Sequence, residues 1–181
     1  GAEITLDGGY IIARAKRLRG ANITFDIASV GATFNLMAAA TLAHGRTVIN
    51  NAAIEPEVTA AGRLLQKMGA QIEGLGTPTI TIEGCDNLKP ANIETIPDRV
   101  ETGTLLVAVA MTGGKATLTN TNPYHLAVVL EKLEEAGCEL DIRADEITLT
   151  APDQLKPVDV VTAVYPGFPT DMQAQWMSLM T

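Results

Sequence analysis

The sequence is poor in what nucleic-acid binding demands. Lys plus Arg total 13 against 21 Asp plus Glu, a formal charge of −8, and only three Phe, three Tyr and one Trp are present. Phosphate neutralisation needs basic surface and base reading needs stacking aromatics, so no nucleic-acid partner is expected. Cysteine is equally sparse. Cys85 and Cys138 have neither CxxC spacing nor a histidine nearby in sequence, which excludes a zinc site of the usual kind. Both are expected as buried thiols. The longest apolar runs, at 36–43 and 105–111, fall far short of the roughly 20 residues of a membrane span, so no membrane partner is expected. No basic region followed by an apolar stretch opens the sequence, so no signal peptide is expected. P-loop, GxGxxG, GxSxG and HExxH patterns are missing, and no cofactor or metal is expected.

What is present is the material of a folded core. Hydrophobic residues make up 46% of the 181 residues and the mean hydropathy is +0.16, which excludes a disordered chain. This length suits one ordinary domain or two small ones. A glycine in mid-element at the start and an abrupt Thr181 suggest a piece of a longer protein. Arg14, Lys16, Arg17 and Arg19 form the one positive cluster, expected as a solvated turn between strands.

An internal repeat organises the chain. Leu18-Arg19-Gly20-Ala21-Asn22-Ile23-Thr24 recurs as Leu88-Lys89-Pro90-Ala91-Asn92-Ile93-Glu94 and as Leu155-Lys156-Pro157-Val158-Asp159-Val160-Val161. Each copy reads as an extended stretch leading into a helix start. Those starts align at Ser29, Asp98 and Asp171, with Ser and Asp as preferred N-caps. Asp98 with Glu101 fits a capping box, and Thr170 with Gln173 fits one shifted by a residue. A nearly all-apolar helix follows, 34–43 or 104–111, and the lack of a polar face predicts burial on every side. Then come a strand (47–50 or 116–120), an amphipathic helix (57–68 or 125–136) closed by Gly69 or Gly137, and two alternating strands. The chain thus holds the end of one repeat (1–28), two whole repeats of β-α-β-α-β-β type and the start of a fourth at 171–181. The fold class is α+β, with helices inside and sheets outside.

Chemistry concentrates at two helix starts. In Pro166-Gly167-Phe168-Pro169-Thr170-Asp171, two prolines and a glycine fix a turn that delivers Asp171 to a helix N-terminus. It reads equally as a well-made cap or as a carboxylate held at the edge of a ligand site. At Ser29-Val30-Gly31, the missing side chain of Gly31 either exposes backbone N–H groups to an anion such as diphosphate or permits close helix packing. His44 and His125 have no catalytic partner in the sequence and read as structural.

Pro97-Asp98-Arg99-Val100-Glu101-Thr102-Gly103-Thr104 and Phe168-Pro169-Thr170-Asp171-Met172-Gln173-Ala174-Gln175 resemble signatures of the bacterial UDP-N-acetylglucosamine 1-carboxyvinyltransferases. Ser29-Val30-Gly31-Ala32-Thr33 and Asn51-Ala52-Ala53-Ile54-Glu55-Pro56-Glu57 are similar to two further motifs of that family. The resemblance runs over essentially the whole chain and covers only the middle of such an enzyme. It implies an inside-out α/β barrel of two domains, residues 1–97 belonging to the first and 98–181 to the second. It implies a cytoplasmic transferase that moves enolpyruvyl from phosphoenolpyruvate to the 3-hydroxyl of UDP-N-acetylglucosamine, the first committed step of peptidoglycan synthesis.

Carried over by motif, Asp171 would be the general base facing the sugar hydroxyl, with Thr170 beside it. The helix start favours the anion, so orienting the hydroxyl is as much its expected task as taking the proton. Ile27, Ala28, Ser29, Val30 and Gly31 would contact the UDP-sugar, and Asp98 and Arg99 would lie by the domain crossover near the cleft. The family's proton-donating cysteine sits in a Gly-Gly-Cys motif that this sequence lacks, and neither Cys85 nor Cys138 takes its place. Ile54 stands where the family commonly has arginine, and Phe34 where a smaller or polar residue is usual. The chain alone is expected to be inactive and prone to self-association. The competing assignments are the sister transferase acting on shikimate 3-phosphate, an inert scaffold, and an RNA-associated protein built of similar repeats.

Overall fold

The computed structural model describes residues 2–181. The chain divides into two compact lobes, the first ending at Thr95 and the second beginning at Ile96. The first opens with a hairpin, β1 (Glu3–Asp7) and β2 (Tyr10–Arg14), turned through Gly8-Gly9. The elements β3 (Asn22–Thr24), α1 (Val30–Thr41), β4 (Arg46–Asn50), α2 (Pro56–Lys67), β5 (Gln71–Glu73) and β6 (Thr79–Glu83) follow. They form a four-stranded sheet in the order β3-β4-β6-β5. Only β3 and β4 run parallel, because α1 returns the chain between them.

Strand alternation sets the core of this lobe. Ile49 on β4 and Ile80 and Ile82 on β6 are fully buried, while Arg46 faces Glu83 as an exposed cross-strand ion pair. Met37 from α1 and Val58 from α2 pack onto the buried face. Fully burying these five side chains is worth about 1.5–3 kcal/mol each, before chain entropy is counted against it.

In the second lobe α3 (Arg99–Thr112), β7 (Lys115–Thr119), α4 (Ala127–Glu135), β8 (Glu139–Ile142), β9 (Glu146–Thr150) and α5 (Gln173–Leu179) follow in order. Its sheet is antiparallel, β7-β9-β8. Ile147 and Leu149 of β9 point into a core with Leu106 of α3 and Leu133 of α4, all fully buried. The repeat is geometric as well as textual. Ser29 Oγ accepts from Ala32 N, and Asp98 Oδ1 accepts from Val100 N and Glu101 N at 2.8 and 3.1 Å. Thr33 and Thr102, each four residues after its cap, donate to the cap carbonyl at 2.7 and 2.8 Å. α2 and α4 both end before a glycine in the left-handed region, Gly69 at φ 106° and Gly137 at φ 101°.

Four expectations are corrected. The apolar helices are covered on one side only: Phe34 on α1 is 46% exposed and Leu105 and Met111 on α3 are 47% and 48% exposed. Periodicity told of a helix with no polar face, whereas burial depends on how many neighbours surround it. The second and third copies of the extended stretch, 92–94 and 159–161, are not strands. In the first copy Gly20 N–H donates to His44 O at 2.9 Å beside the β3–β4 ladder, and Pro90 and Pro157 have no such donor. Arg17 is no solvated turn residue. It donates to Leu42 O (2.9 Å) and Ala43 O (3.1 Å), just past the end of α1, and to Cys85 O (2.9 Å) and Asp86 Oδ1 (2.8 Å), after β6. Finally, Cys85 is only half-buried, with Sγ near Thr41 O (3.1 Å) and Asn87 O (3.2 Å).

Replacing Arg17 by Lys removes the planar fork and should destabilise the first lobe by about 1.5–3 kcal/mol, the scale of a hydrogen bond to a charged group. Asp86→Asn should cost well under about 1 kcal/mol, because Asp86 is 89% exposed. Denaturant titration of the two variants checks the order. Cys138 is buried, which pushes its thiol up from the ordinary value. The unfolded chain then releases a proton that the folded chain keeps. Stability from this group should therefore fall as pH rises through and beyond the ordinary thiol range of about 8.5. Alkaline denaturation of Cys138→Ala should lack that slope, and a thiol reagent should label Cys85 before Cys138.

Candidate functional site

In the first lobe, Ile27 is 75% exposed and the chain passes through Ala28 to the start of α1. Ser29 has extended backbone geometry and its hydroxyl caps the helix. The next two N–H groups, of Val30 and Gly31, lie in the first turn, where no helical carbonyl is available to them. A methyl added at Gly31 would meet nothing within 4 Å. The close-packing explanation of this glycine is therefore set aside in favour of open space before a 12-residue helix. Exposed N–H groups and the helix dipole together favour an anion there.

In the second lobe the two sequence motifs meet. Asp98 caps α3 and its carboxylate is engaged by two backbone N–H groups. The Arg99 guanidinium lies over the Tyr165 ring, 5.5 Å from its centroid. Asp171 departs from the alignment with Ser29 and Asp98. It sits inside a 3₁₀ turn, Thr170–Met172, whose cap is Pro169, and Pro169 offers no side-chain acceptor. The Thr170–Gln173 capping box does not form. Among the described residues Asp171 makes no hydrogen bond or ion pair and is exposed, as is Thr170. Its carboxylate thus has no capping duty, whereas Oδ1 of Asp98 is taken by two backbone N–H groups.

The turn under Asp171 is tightly held. Met172 is fully buried and rests in a notch at Gly103 of α3, where a Cβ would stand 2.8 Å from the Met172 methyl carbon. Phe168 and Trp176 pack edge to face with centroids 5.5 Å apart, worth about 0.5–1.5 kcal/mol beyond their burial. Gln175 Nε2 donates to Thr104 Oγ1 at 2.9 Å and joins α5 to α3. Trp176 Nε1 donates to Val158 O at 3.1 Å. Sequence reasoning did not single out Gly103, Thr104, Tyr165 or Gln175, although three of them stood inside the quoted motifs. Their signal was position in a motif, with no chemistry of their own to separate them from its other members.

The structure therefore places Ile27, Ala28, Ser29, Val30 and Gly31 in the first lobe and Asp98, Arg99, Thr170 and Asp171 in the second. Within the second it brings the starts of α3 and α5 together. No group of three or more His, Cys, Asp or Glu side chains that could hold a metal occurs among the described residues. No helix among them is long and apolar enough to cross a membrane.

Comparison with known proteins adds the family. Residues 1–181 match the model of the family described as EPSP synthase (3-phosphoshikimate 1-carboxyvinyltransferase). A UDP-N-acetylglucosamine 1-carboxyvinyltransferase from Chlorobaculum parvum is 55% identical over 183 residues, covering 100% of this chain and 43% of that protein. One from Myxococcus xanthus is 49% identical over 181 residues, again 100% of this chain and 43% of that protein. The chain thus spans well under half the length of the curated relatives it matches. Among solved structures, the enolpyruvyl transferase NikO from Streptomyces tendae superposes with a TM-score of 0.82 at 25% identity, over 98% of this chain and 46% of that one. An EPSP synthase from Acinetobacter baumannii gives 0.62 at 22% identity, over 87% of this chain and 38% of that one, a likeness of fold alone. The α+β repeats match the fold of enolpyruvyl transferases, although no sheet closes into a barrel among the described residues. By sequence over its whole length, and by fold, the chain belongs to the EPSP synthase (3-phosphoshikimate 1-carboxyvinyltransferase) family.

Proposed function

We propose that the chain is part of a UDP-N-acetylglucosamine 1-carboxyvinyltransferase, serving enolpyruvyl transfer from phosphoenolpyruvate to the sugar 3-hydroxyl with release of phosphate. The observation that carries this reading is Asp171: an exposed carboxylate, free of capping duty, on a turn fixed by Met172, Phe168 and Gln175. Identities of 49% and 55% to transferases of that name support the choice of acceptor. The shikimate 3-phosphate enzyme is the second reading, favoured by the family description.

In this mechanism Asp171 orients the acceptor hydroxyl and takes its proton as the oxygen bonds to C2 of phosphoenolpyruvate; the C2–C3 π pair takes up a proton at C3 from an acid that this chain does not supply, and loss of a C3 proton with departure of phosphate restores the double bond. The rigid turn makes the contribution one of proximity as well as basicity. Thr170 stands beside it. The start of α1, from Ile27 to Gly31, offers backbone N–H groups to the diphosphate of the sugar nucleotide. Asp98 and Arg99 shape the edge of the cleft, Asp98 through the cap it provides. The two lobes belong to the two domains of the enzyme, which works in the cytoplasm in peptidoglycan synthesis, cell-wall growth and division. The exposed apolar sides of α1 and α3 favour self-association of the chain by itself.

In a full-length transferase carrying this chain, Asp171→Asn should lower turnover at least about a hundredfold, the scale of lost general-base catalysis, with the fold retained. Near-normal turnover of that variant would reject the role. The 181-residue chain alone should release no phosphate from phosphoenolpyruvate. Calorimetric titration of the chain with UDP-N-acetylglucosamine should give saturable binding, with shikimate 3-phosphate silent; the reverse preference would select the second reading.

A further inference from the structure

The sheets of the two lobes differ by one strand. β7, β9 and β8 reproduce β4, β6 and β5 in order and direction. Lys115–Thr119 follow Arg46–Asn50 residue for residue, and each strand leads into a left-handed asparagine, Asn51 at φ 54° and Asn120 at φ 55°. The first sheet continues past β4 with the parallel strand β3, whereas the second stops at β7. In β4, Val48 N–H donates to Ala21 O at 2.9 Å, and Asn50 O accepts from Phe25 N–H at 3.1 Å. Asn51 Nδ2 then donates to Phe25 O at 2.9 Å. The matching groups of the second lobe are Thr117 N–H, Thr119 C=O and the Asn120 amide, and they face no strand among the described residues. Exposure tells the same story. Thr47 and Ile49 are buried, while Ala116 and Leu118 at their places are half-buried and Thr117 and Thr119 are exposed.

We propose that the outer edge of β7 is a docking site for an extended peptide segment from outside these 181 residues, which joins the sheet as a parallel fourth strand. Three stretches of the chain share the pattern of β3, and none of them serves. The first is β3 itself, already paired with β4. In it Gly20 approaches the backbone of Arg46 so closely that a Cβ would stand 2.1 Å from the Arg46 carbonyl oxygen. A strand seated this way therefore needs glycine at that position. The other two copies have Pro90 and Pro157 there, each with a ring and without the N–H that Gly20 donates to His44 O. The docked segment thus carries glycine opposite Lys115. Polar residues follow beside Thr117 and Thr119, with an apolar one between them to cover Leu118, as Ile23 lies beside Ile49. Main-chain bonds to Thr117 and Thr119 supply affinity, the glycine and the alternation supply selectivity, and the Asn120 amide closes on the segment as Asn51 does on Phe25. The claim stands on the two sheets and is independent of the role assigned to Asp171.

The test uses the ¹⁵N-labelled 181-residue chain and a synthetic peptide with the sequence of residues 18–26, which carries the glycine. In the free chain the Thr117 amide should exchange readily with solvent. The peptide should shift that amide saturably and slow its exchange, with a Kd of about 1 mM or tighter. The same peptide bearing Gly20→Pro should bind at least about tenfold more weakly. Thr117→Pro in the chain removes the edge donor and should abolish the response of the Asn120 side-chain amide. If Trp176 fluorescence shows that variant unfolded, a peptide N-methylated at Phe25, which lacks the donor to Thr119 O, should fail to bind the unaltered chain. No saturable response at Thr117, or equal affinity of the proline peptide, would overturn the proposal. A response at Val48 with Thr117 unmoved would mean exchange with β3 and would overturn it as well. So would a Thr117 amide already protected without peptide: at all dilutions the chain itself pairs with the edge, and only at high concentration a second copy does.

Discussion

Each lobe is built around a helix that has no polar face. α1 and α3 carry apolar or small residues around most of their circumference, and such a helix gains its stability from whatever covers it. In the first lobe that cover is α2 and the buried face of the sheet through Ile49, Ile80 and Ile82. In the second it is α4, α5 and the β9 side chains Ile147 and Leu149. The sheets can be short because their alternation only has to supply one apolar surface. The amphipathic helices can be short because they only have to close one side. What the chain leaves open, at Phe34, Leu105 and Met111, is the uncovered remainder of the same two helices.

The turn that carries Asp171 inherits its rigidity from this arrangement. Gly103 lies on the covered side of α3, and the absence of a side chain there gives Met172 its place. Met172 in turn fixes the 3₁₀ turn on which Asp171 stands. The packing residue and the exposed carboxylate are neighbours in sequence and point to opposite environments, one fully buried and one in solvent. A short turn achieves this where a longer helix start, with a side-chain cap, would have engaged the carboxylate. Asp98 illustrates that alternative: with the same residue type at the matching helix start, it is held by two backbone N–H groups.

The ends of α1 show the two fates of unsatisfied helix termini. At its C-terminal end, Arg17 brings a fixed fork of donors to carbonyls from three residues and so joins segments far apart in sequence. At its N-terminal end the Ser29 cap satisfies one donor, and a Cβ on Gly31 would meet no other atom within 4 Å. One end is closed by the protein itself.

Much of this was legible in the sequence, and for local reasons. Strand alternation placed β5, β6, β8 and β9, and cap and glycine signals placed α2 and the starts of α1 and α3, because each depends on residues within a few positions of one another. The motif at 168–175 made Asp171 a candidate by resemblance alone. What the sequence could not determine was anything resting on a distant partner. Whether Gly20, Pro90 and Pro157 lead into strands depends on a donor facing a carbonyl elsewhere in the chain. Whether Arg17 is solvated depends on carbonyls some 25 and 68 residues away. Whether a carboxylate at a helix start is a cap or an exposed group depends on one residue of offset and on the prolines before it. Local chemistry sets which elements form, while the assignment of each hydrogen-bond donor and each apolar face to its partner is made only when the chain closes on itself.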